Sequence, residues 1–415
     1  MLITVTEQAK RAQAVTPALQ ACAAGKRSQI LSDLGRTLLA RQADIMAINL
    51  AEVKEQASLG LADALLDRLT LNAARIASMV EGVQQIAAAA DIIGETIESW
   101  QRPNGLLVRK VRVPLGVIGV IYEARPNVTV DAAALCLKSG NAVLLRGSRM
   151  AARTNAYLVS IIAETLTRHG LPSDLVQMVQ DGSHQSVLEM AQARGLLDLI
   201  VPRGGAELIR TVIESATVPV LETGVGNCHL YIDKSAPVEM ALSLSLNGKC
   251  SRPGVCNAVE TILLHQAWAE KHFLRLAREL QAAGVALRLC PELQVRVPGS
   301  TLADTHDWSS EFLDLTVAIK QVASVDEAIA HIKRYGTRHS EAIVSLDDAS
   351  VSRFFAGVDA ACLYHNASTR FSDGYALGLG AEIGISTQKL HARGPTGILG
   401  LTTYKYLISG TGQTR

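Results

Sequence analysis

"PLGVIGVIYEARPNVTVDAAALCLKSGNAVLLRG", residues 114–147, decides the fold class of this chain. Its two apolar runs, 116–123 and 142–147, show no alternation of inward and outward residues, and a helical segment separates them. Strands that are apolar on both faces and joined through helices form a parallel sheet covered on both sides. The same texture extends outward in short runs at 106–113, 175–179, 197–201, 219–222 and 229–233, with helices predicted over 149–167 and 205–215. Such α/β sheets bind ligands at the carboxyl ends of their strands.

Before this region the chain reads as helices, with Leu31, Leu34, Leu38 and Ile45 recurring at helical spacing within 28–48. A second α/β unit starts near residue 235, and from 366 onward the chain is a glycine-rich connecting segment. The expected division is therefore a cofactor-binding domain over 1–233 (with a strand within 100–113), a second domain over 234–364, and a return segment over 365–415. At 415 residues, two or three domains are expected.

Forty basic residues against 39 acidic ones leave a net charge of +1. That gives no general field for nucleic acid or an acidic membrane, so a bound anion must meet locally placed cations. No apolar stretch approaches the ~20 residues of a membrane span, and a soluble, cytoplasmic protein is expected. Seven cysteines without CxxC spacing predict reduced thiols and no structural metal.

Three stretches could hold anions or stabilise charge. In "LDLIVPRGGAELIR" a strand runs through Arg203, Gly204 and Gly205 into a helix, whose first amides suit a phosphate; a plain strand-to-helix turn explains it equally. "AVLLRGSRMAARTN" offers Arg146, Ser148 and Arg149 at a strand end, where an arginine suits a ribose 2′-phosphate and so favours NADPH over NADH. Asn127 precedes a helix and fits either an oxyanion donor or a helix cap. "GLGAEIG" at 378–384 has glycines spaced one residue too wide for a dinucleotide fingerprint.

The stretch "SRPGVCNAVET", 251–261, places Cys256 just after a Pro-Gly turn, with Lys249 and Arg252 on the approach. Cations beside a thiol lower its pKa and make it a nucleophile. Cys250 lies on the same loop, and from the residues alone a buried structural thiol remains open for either.

Together with "DLIVPRGGAELI", "HNASTRFSDGYALGLGAEIGIST" and "KLHARGPTGILGLTTYKY", these stretches resemble the γ-glutamyl phosphate reductase family of the aldehyde dehydrogenase superfamily, in order over nearly the whole chain. The resemblance implies an aldehyde dehydrogenase-like fold: a Rossmann-like cofactor domain, a catalytic domain, and a small β element for oligomerisation formed by 107–113 and the tail "LTTYKYLISG". It implies NADPH-dependent reduction of L-glutamyl 5-phosphate to glutamate 5-semialdehyde through a cysteine thioester, with no metal. Cys256 falls on the family's nucleophile and Asn127 near its oxyanion asparagine. Arg146 and Ser148 fall at the adenosine ribose, Glu311 at the nicotinamide ribose, and Glu222 on the general base of hydrolytic relatives. Arg125, Arg252, Arg370, His391 and Arg393 are candidates for the substrate's phosphate and carboxylate. The implied partners are a second copy of the chain and the glutamate 5-kinase that supplies the acyl phosphate. A hydrolytic aldehyde dehydrogenase and a catalytically silent protein of the same fold are the alternatives.

Overall fold

The computed structural model describes residues 3–415. The chain divides into two compact units, the first formed by residues up to 222 with 379–384 and 396–415, the second by 223–378 with 385–395. The glycine-rich segment expected as one return path is thus shared between the two.

The first unit opens with five helices, α1 (Val5–Gln20), α2 (Ala24–Ala40), α3 (Gln42–Ser58), α4 (Asp63–Leu69) and α5 (Ala73–Ala88). The helical spacing over 28–48 spans two helices that meet at Arg41, and Leu31, Leu34, Leu38 and Ile45 are all buried. Strands β1 (Thr96–Gln101), β2 (Leu107–Pro114), β3 (Val117–Tyr122), β4 (Ala142–Arg146), β5 (Val176–Met178) and β6 (Leu199–Arg203) follow. Between and after them lie α6 (Asn127–Lys138), α7 (Ala152–Arg168), α8 (His184–Ala191) and α9 (Ala206–Ser215).

The order β5-β4-β3-β6 is parallel throughout, and every residue of β3 and β4 is buried, which is why neither strand alternates. Two buried charged groups of the surrounding helices, Lys138 and Glu52, each meet more than one partner. Lys138 Nζ donates to Ser28 Oγ and the Ala87 carbonyl, and the Glu52 carboxylate accepts from the Arg153 and Thr154 amides at the start of α7. A separate antiparallel sheet joins β1, β2 and the C-terminal strand Thr402–Ser409.

In the second unit β7 (Cys228–Ile232), β8 (Val259–His265), β9 (Ala286–Leu289), β10 (Thr301–Leu302), β11 (Thr316–Val322), β12 (Ser340–Val344) and β13 (Cys362–His365) form one parallel sheet in the order β10-β9-β11-β8-β7-β12-β13. Its helices are α10 (Val238–Cys250), α11 (Gln266–Ala282), α12 (Pro291–Gln294), α13 (Thr305–Ser309), α14 (Val325–Tyr335) and α15 (Asp348–Gly357). Alternate residues feed two cores: Leu230, Ile232 and Ile262 pack with Trp268 and Phe273 of α11, whereas Tyr231 and Leu263 pack with Ile329 and Phe354.

Two sequence expectations shift here. The run 219–222 is no strand; Val220 makes only a bridge to Ile200. The run 229–233 pairs with β8 and β12, so the first unit ends at Glu222 and not at 233. A strand buried on both faces has the same local pattern in either sheet, and its distant partners decide where it goes. Among the described residues, no helix is long and apolar enough to cross a membrane, and no cluster suited to a metal ion is present.

Candidate active site

In the first unit, three strand ends carry the candidate residues, as expected for a parallel sheet. After β3, Arg125 is exposed and Asn127 begins α6. Asn127 is the first helical residue and not the cap; its amide donates to Asp131 Oδ2 at 3.0 Å. Burial pushes the Asp131 carboxyl up to about 6, while Asn127 and the Arg203 charge pull it back.

At the end of β4, Arg146 is 9% exposed. Its guanidinium donates to the Gly182 carbonyl at 2.8 Å, the Ser183 carbonyl at 3.0 Å and Ser186 Oγ at 3.3 Å. It therefore anchors the 181–186 loop, and three of its donors are committed. Ser148 caps the following 3₁₀ turn by accepting from the Met150 amide. The cation left outward is Arg149, whose side chain is 70% exposed, with Asp181 at 3.8 Å.

At the end of β6, Arg203, Gly204 and Gly205 lead into α9, and the Gly205 amide donates to Glu123 Oε2 at 2.8 Å. A Cβ on Gly204 would come within 2.5 Å of that oxygen, so a larger residue there would push the Glu123 side chain aside. The head of α9 thus already holds an anionic oxygen, in keeping with the donor set of a phosphate cradle. Glu222 closes the unit, half-buried.

The loop that carries Cys256 lies in the second unit, between α10 and β8. Its two ends are fastened by a buried ion pair, Lys249 Nζ to Glu260 Oε2 at 2.5 Å. Both side chains are inaccessible to solvent, so the Lys249 charge that the sequence offered to Cys256 is committed to Glu260. Burial still pushes Glu260 up to about 7, with Lys249 opposing. The loop is pinned from the other side at Asn257, which donates to the Ser372 carbonyl at 2.9 Å and accepts from Thr369 Oγ1 at 2.8 Å.

That pinning brings Arg370 to the loop, its Nε donating to Ser251 Oγ at 3.1 Å. Burial lowers the pKa of Arg370, and the charge of Arg252 lowers it further, while Cys256 and Asp373 raise it. Two mutually repelling guanidinium groups therefore share the neighbourhood of a half-buried thiol, an arrangement suited to an anion. Cys250, the rival thiol, ends α10, and burial raises its pKa.

Elsewhere in this unit, Arg393 donates to Asp359 Oδ1 at 2.9 Å, alongside Lys389, and His391 is exposed. Glu311 Oε1 accepts from the Gly226 amide at 2.8 Å. Gly226 lies against Cys256: a Cβ there would sit 2.7 Å from Cys256 Cα and closer still to its carbonyl oxygen. Two residues on, Cys228 Sγ donates to that same carbonyl at 3.2 Å. Neither residue stood out in the sequence; a glycine two residues before a strand in "VGNCHLYI" was the available signal. Both lie at the amino end of the sheet, ahead of β7 and β8, opposite to the end that strand polarity suggested.

The sequence model of the aldehyde dehydrogenase family matches residues 4–295. Relatives called γ-glutamyl phosphate reductase are 52% identical in Halalkalibacterium halodurans over 99% of both chains, and 50% identical in Geobacillus kaustophilus over 99% of this chain and 98% of the relative. A crystal structure of γ-glutamyl phosphate reductase from Thermotoga maritima is 43% identical, superimposes with a TM-score of 0.96 and covers 99% of each chain. The folding pattern is also shared with an acetylating aldehyde dehydrogenase from Geobacillus thermoglucosidasius, at 16% identity, a TM-score of 0.68, and coverage of 98% and 96%. With its two parallel sheets and this likeness along its whole length, the chain belongs to the γ-glutamyl phosphate reductases of the aldehyde dehydrogenase family.

Proposed function

We propose that the protein reduces L-glutamyl 5-phosphate to L-glutamate 5-semialdehyde with NADPH, releasing phosphate. The observation that carries this reading is the pair Arg252 and Arg370 beside Cys256: cations that repel each other are stabilised by an anion between them, and the acyl phosphate brings one. The Cys256 thiolate attacks the γ-carbonyl, its sulfur bonds to carbon, and phosphate leaves with the electron pair of the broken C–O bond. The backbone amide of Cys256 is the proposed donor to the oxyanion. A nicotinamide cofactor, when bound, supplies the hydride. Cys256 then departs as thiolate as the aldehyde forms.

The first unit fits the cofactor. The Gly205 amide, which already donates to a carboxylate oxygen, suits a cofactor phosphate, and the exposed Arg149 suits a ribose 2′-phosphate better than the committed Arg146 does. Arg149→Ala is expected to raise the KM for NADPH roughly ten- to hundredfold, the worth of one charge-assisted contact, with that for NADH unchanged. Arg146→Ala should weaken both cofactors alike by loosening the 181–186 loop. Steady-state kinetics with the two cofactors decides it, and equal effects of Arg149→Ala on both would remove the 2′-phosphate assignment.

The reaction is tested in reverse. NADP reduction by glutamate semialdehyde should require inorganic phosphate and yield the acyl phosphate; turnover without phosphate, giving glutamate, would instead mark a hydrolytic enzyme. The three-stranded sheet exposes Trp100, Tyr404, Tyr406 and Ile408, and this supports self-association through 107–113 and the tail.

A further inference from the structure

We propose that Cys228 is a positioning residue for the reaction at Cys256, its buried thiol holding the nucleophile's own carbonyl in place. The inference rests on the reading of Cys256 as nucleophile and adds a residue to it. Cys228 is fully buried at the first position of β7, and its Sγ donates to the Cys256 carbonyl at 3.2 Å. Burial and the charges of Glu341, Cys256 and Glu260 raise its pKa well above the ordinary thiol value, so it carries the proton that this bond requires.

The thiol is held in turn. His339 Nδ1 lies 3.7 Å from Cys228 Sγ and 2.8 Å from Ser340 Oγ; Ser340 meets Ser372, and Ser372 Oγ lies 2.9 Å from the Tyr364 hydroxyl. Ser372 is also the residue whose carbonyl accepts from Asn257, next to the nucleophile. The chain of contacts therefore starts at the Cys256 carbonyl and returns to the neighbouring peptide. The segment that carries Cys228 has little room to shift. The Gly226 amide is tied to Glu311, and Asn227 donates to the Trp308 carbonyl at 2.8 Å and the Tyr335 carbonyl at 3.0 Å. With Gly226 in contact on one side and Cys228 bonded on the other, the Cys256 peptide has a fixed seat. A nucleophile displaced by about 1 Å can lose as much as a hundredfold in rate.

The test compares Cys228→Val, Cys228→Ala and Cys228→Ser, with Cys256→Ala as reference, in phosphate-dependent oxidation of glutamate semialdehyde, together with thermal unfolding of each. Valine and alanine remove the donor, whereas serine keeps one. Cys228→Val and Cys228→Ala should lower kcat about tenfold or more with KM values within about twofold, the pattern of a group that acts on the chemical step. Cys228→Ser should retain most of the wild-type kcat. A role in packing alone follows side-chain volume and gives serine no advantage over valine. Wild-type kcat in Cys228→Val, or serine no better than valine, would overturn the proposal. Wild-type turnover in Cys256→Ala would instead sink the nucleophile assignment beneath it.

Discussion

Replacing Cys256 with serine is expected to stop turnover, lowering kcat by about 10⁴-fold or more, on the scale seen when a covalent nucleophile is removed. A serine hydroxyl stays protonated where a thiolate beside two guanidinium groups forms. The cations around the loop, Arg252 and Arg370, favour the charged sulfur. NADPH binding, followed by fluorescence titration, should be nearly unchanged in the variant, since the proposed cofactor residues lie on β4 and β6. In the parent protein, one equivalent of iodoacetamide at neutral pH should alkylate Cys256 and abolish activity together. Burial raises the thiols of Cys136, Cys228, Cys250 and Cys290, which should react more slowly. Residual activity above a tenth of wild type in Cys256→Ser would place the chemistry elsewhere.

The second large effect is expected from a residue with no side chain. Gly226→Ala puts a methyl group inside the Cys256 backbone, and the atoms it meets are main chain, which cannot rotate away as the end of a flexible side chain could. Either the loop 251–258 or the turn before β7 must move. The loop is fastened by Lys249–Glu260 and Asn257, and the turn by Glu311 and Asn227, so both displacements break buried contacts. A fall in kcat of about a hundredfold is expected, with a stability loss on the order of 1–3 kcal/mol from overpacking. Kinetics and thermal unfolding of the same preparation separate the two. A Gly226→Ala enzyme with wild-type kcat would show that the close approach is not needed.

Much of this arrangement was legible in the sequence, for physical reasons that also explain the rest. β3 and β4 could be read because strands covered on both sides carry unbroken apolar runs, and β8 because Val259, Thr261 and Leu263 alternate after the Pro-Gly turn. Cys256 could be read because a Pro-Gly turn before a strand presents one side chain, and the family resemblance then chose it over Cys250. Partnership over distance was not legible. Lys249 looked like a cation available to the thiol, because its carboxylate lies on the far side of the loop at Glu260. Arg146 looked available for a phosphate, because the carbonyls that hold it belong to residues 182 and 183. Asn127 fitted a cap or an oxyanion donor, yet its partner is the half-buried Asp131 carboxylate one helical turn ahead. The polarity rule located the strand-end residues of the first unit and missed the seat of Cys256, which is built from the turns that enter β7, β8 and β12.

The antiparallel pairing of β2 with the C-terminal strand runs in register from Thr402 opposite Pro114 to Ser409 opposite Leu107. Arg112 and Thr402, which are hydrogen-bonded across it, stand 290 residues apart in the chain. A ribosome working at ordinary speed needs roughly 15 to 60 s to cover that distance. For that interval β2 has a partner on its β1 side alone, with its other edge of amides and carbonyls unpaired and a template for intermolecular pairing. Protection of the nascent chain by a chaperone is therefore most valuable during this delay, and a premature stop codon before residue 402 would leave the edge permanently open.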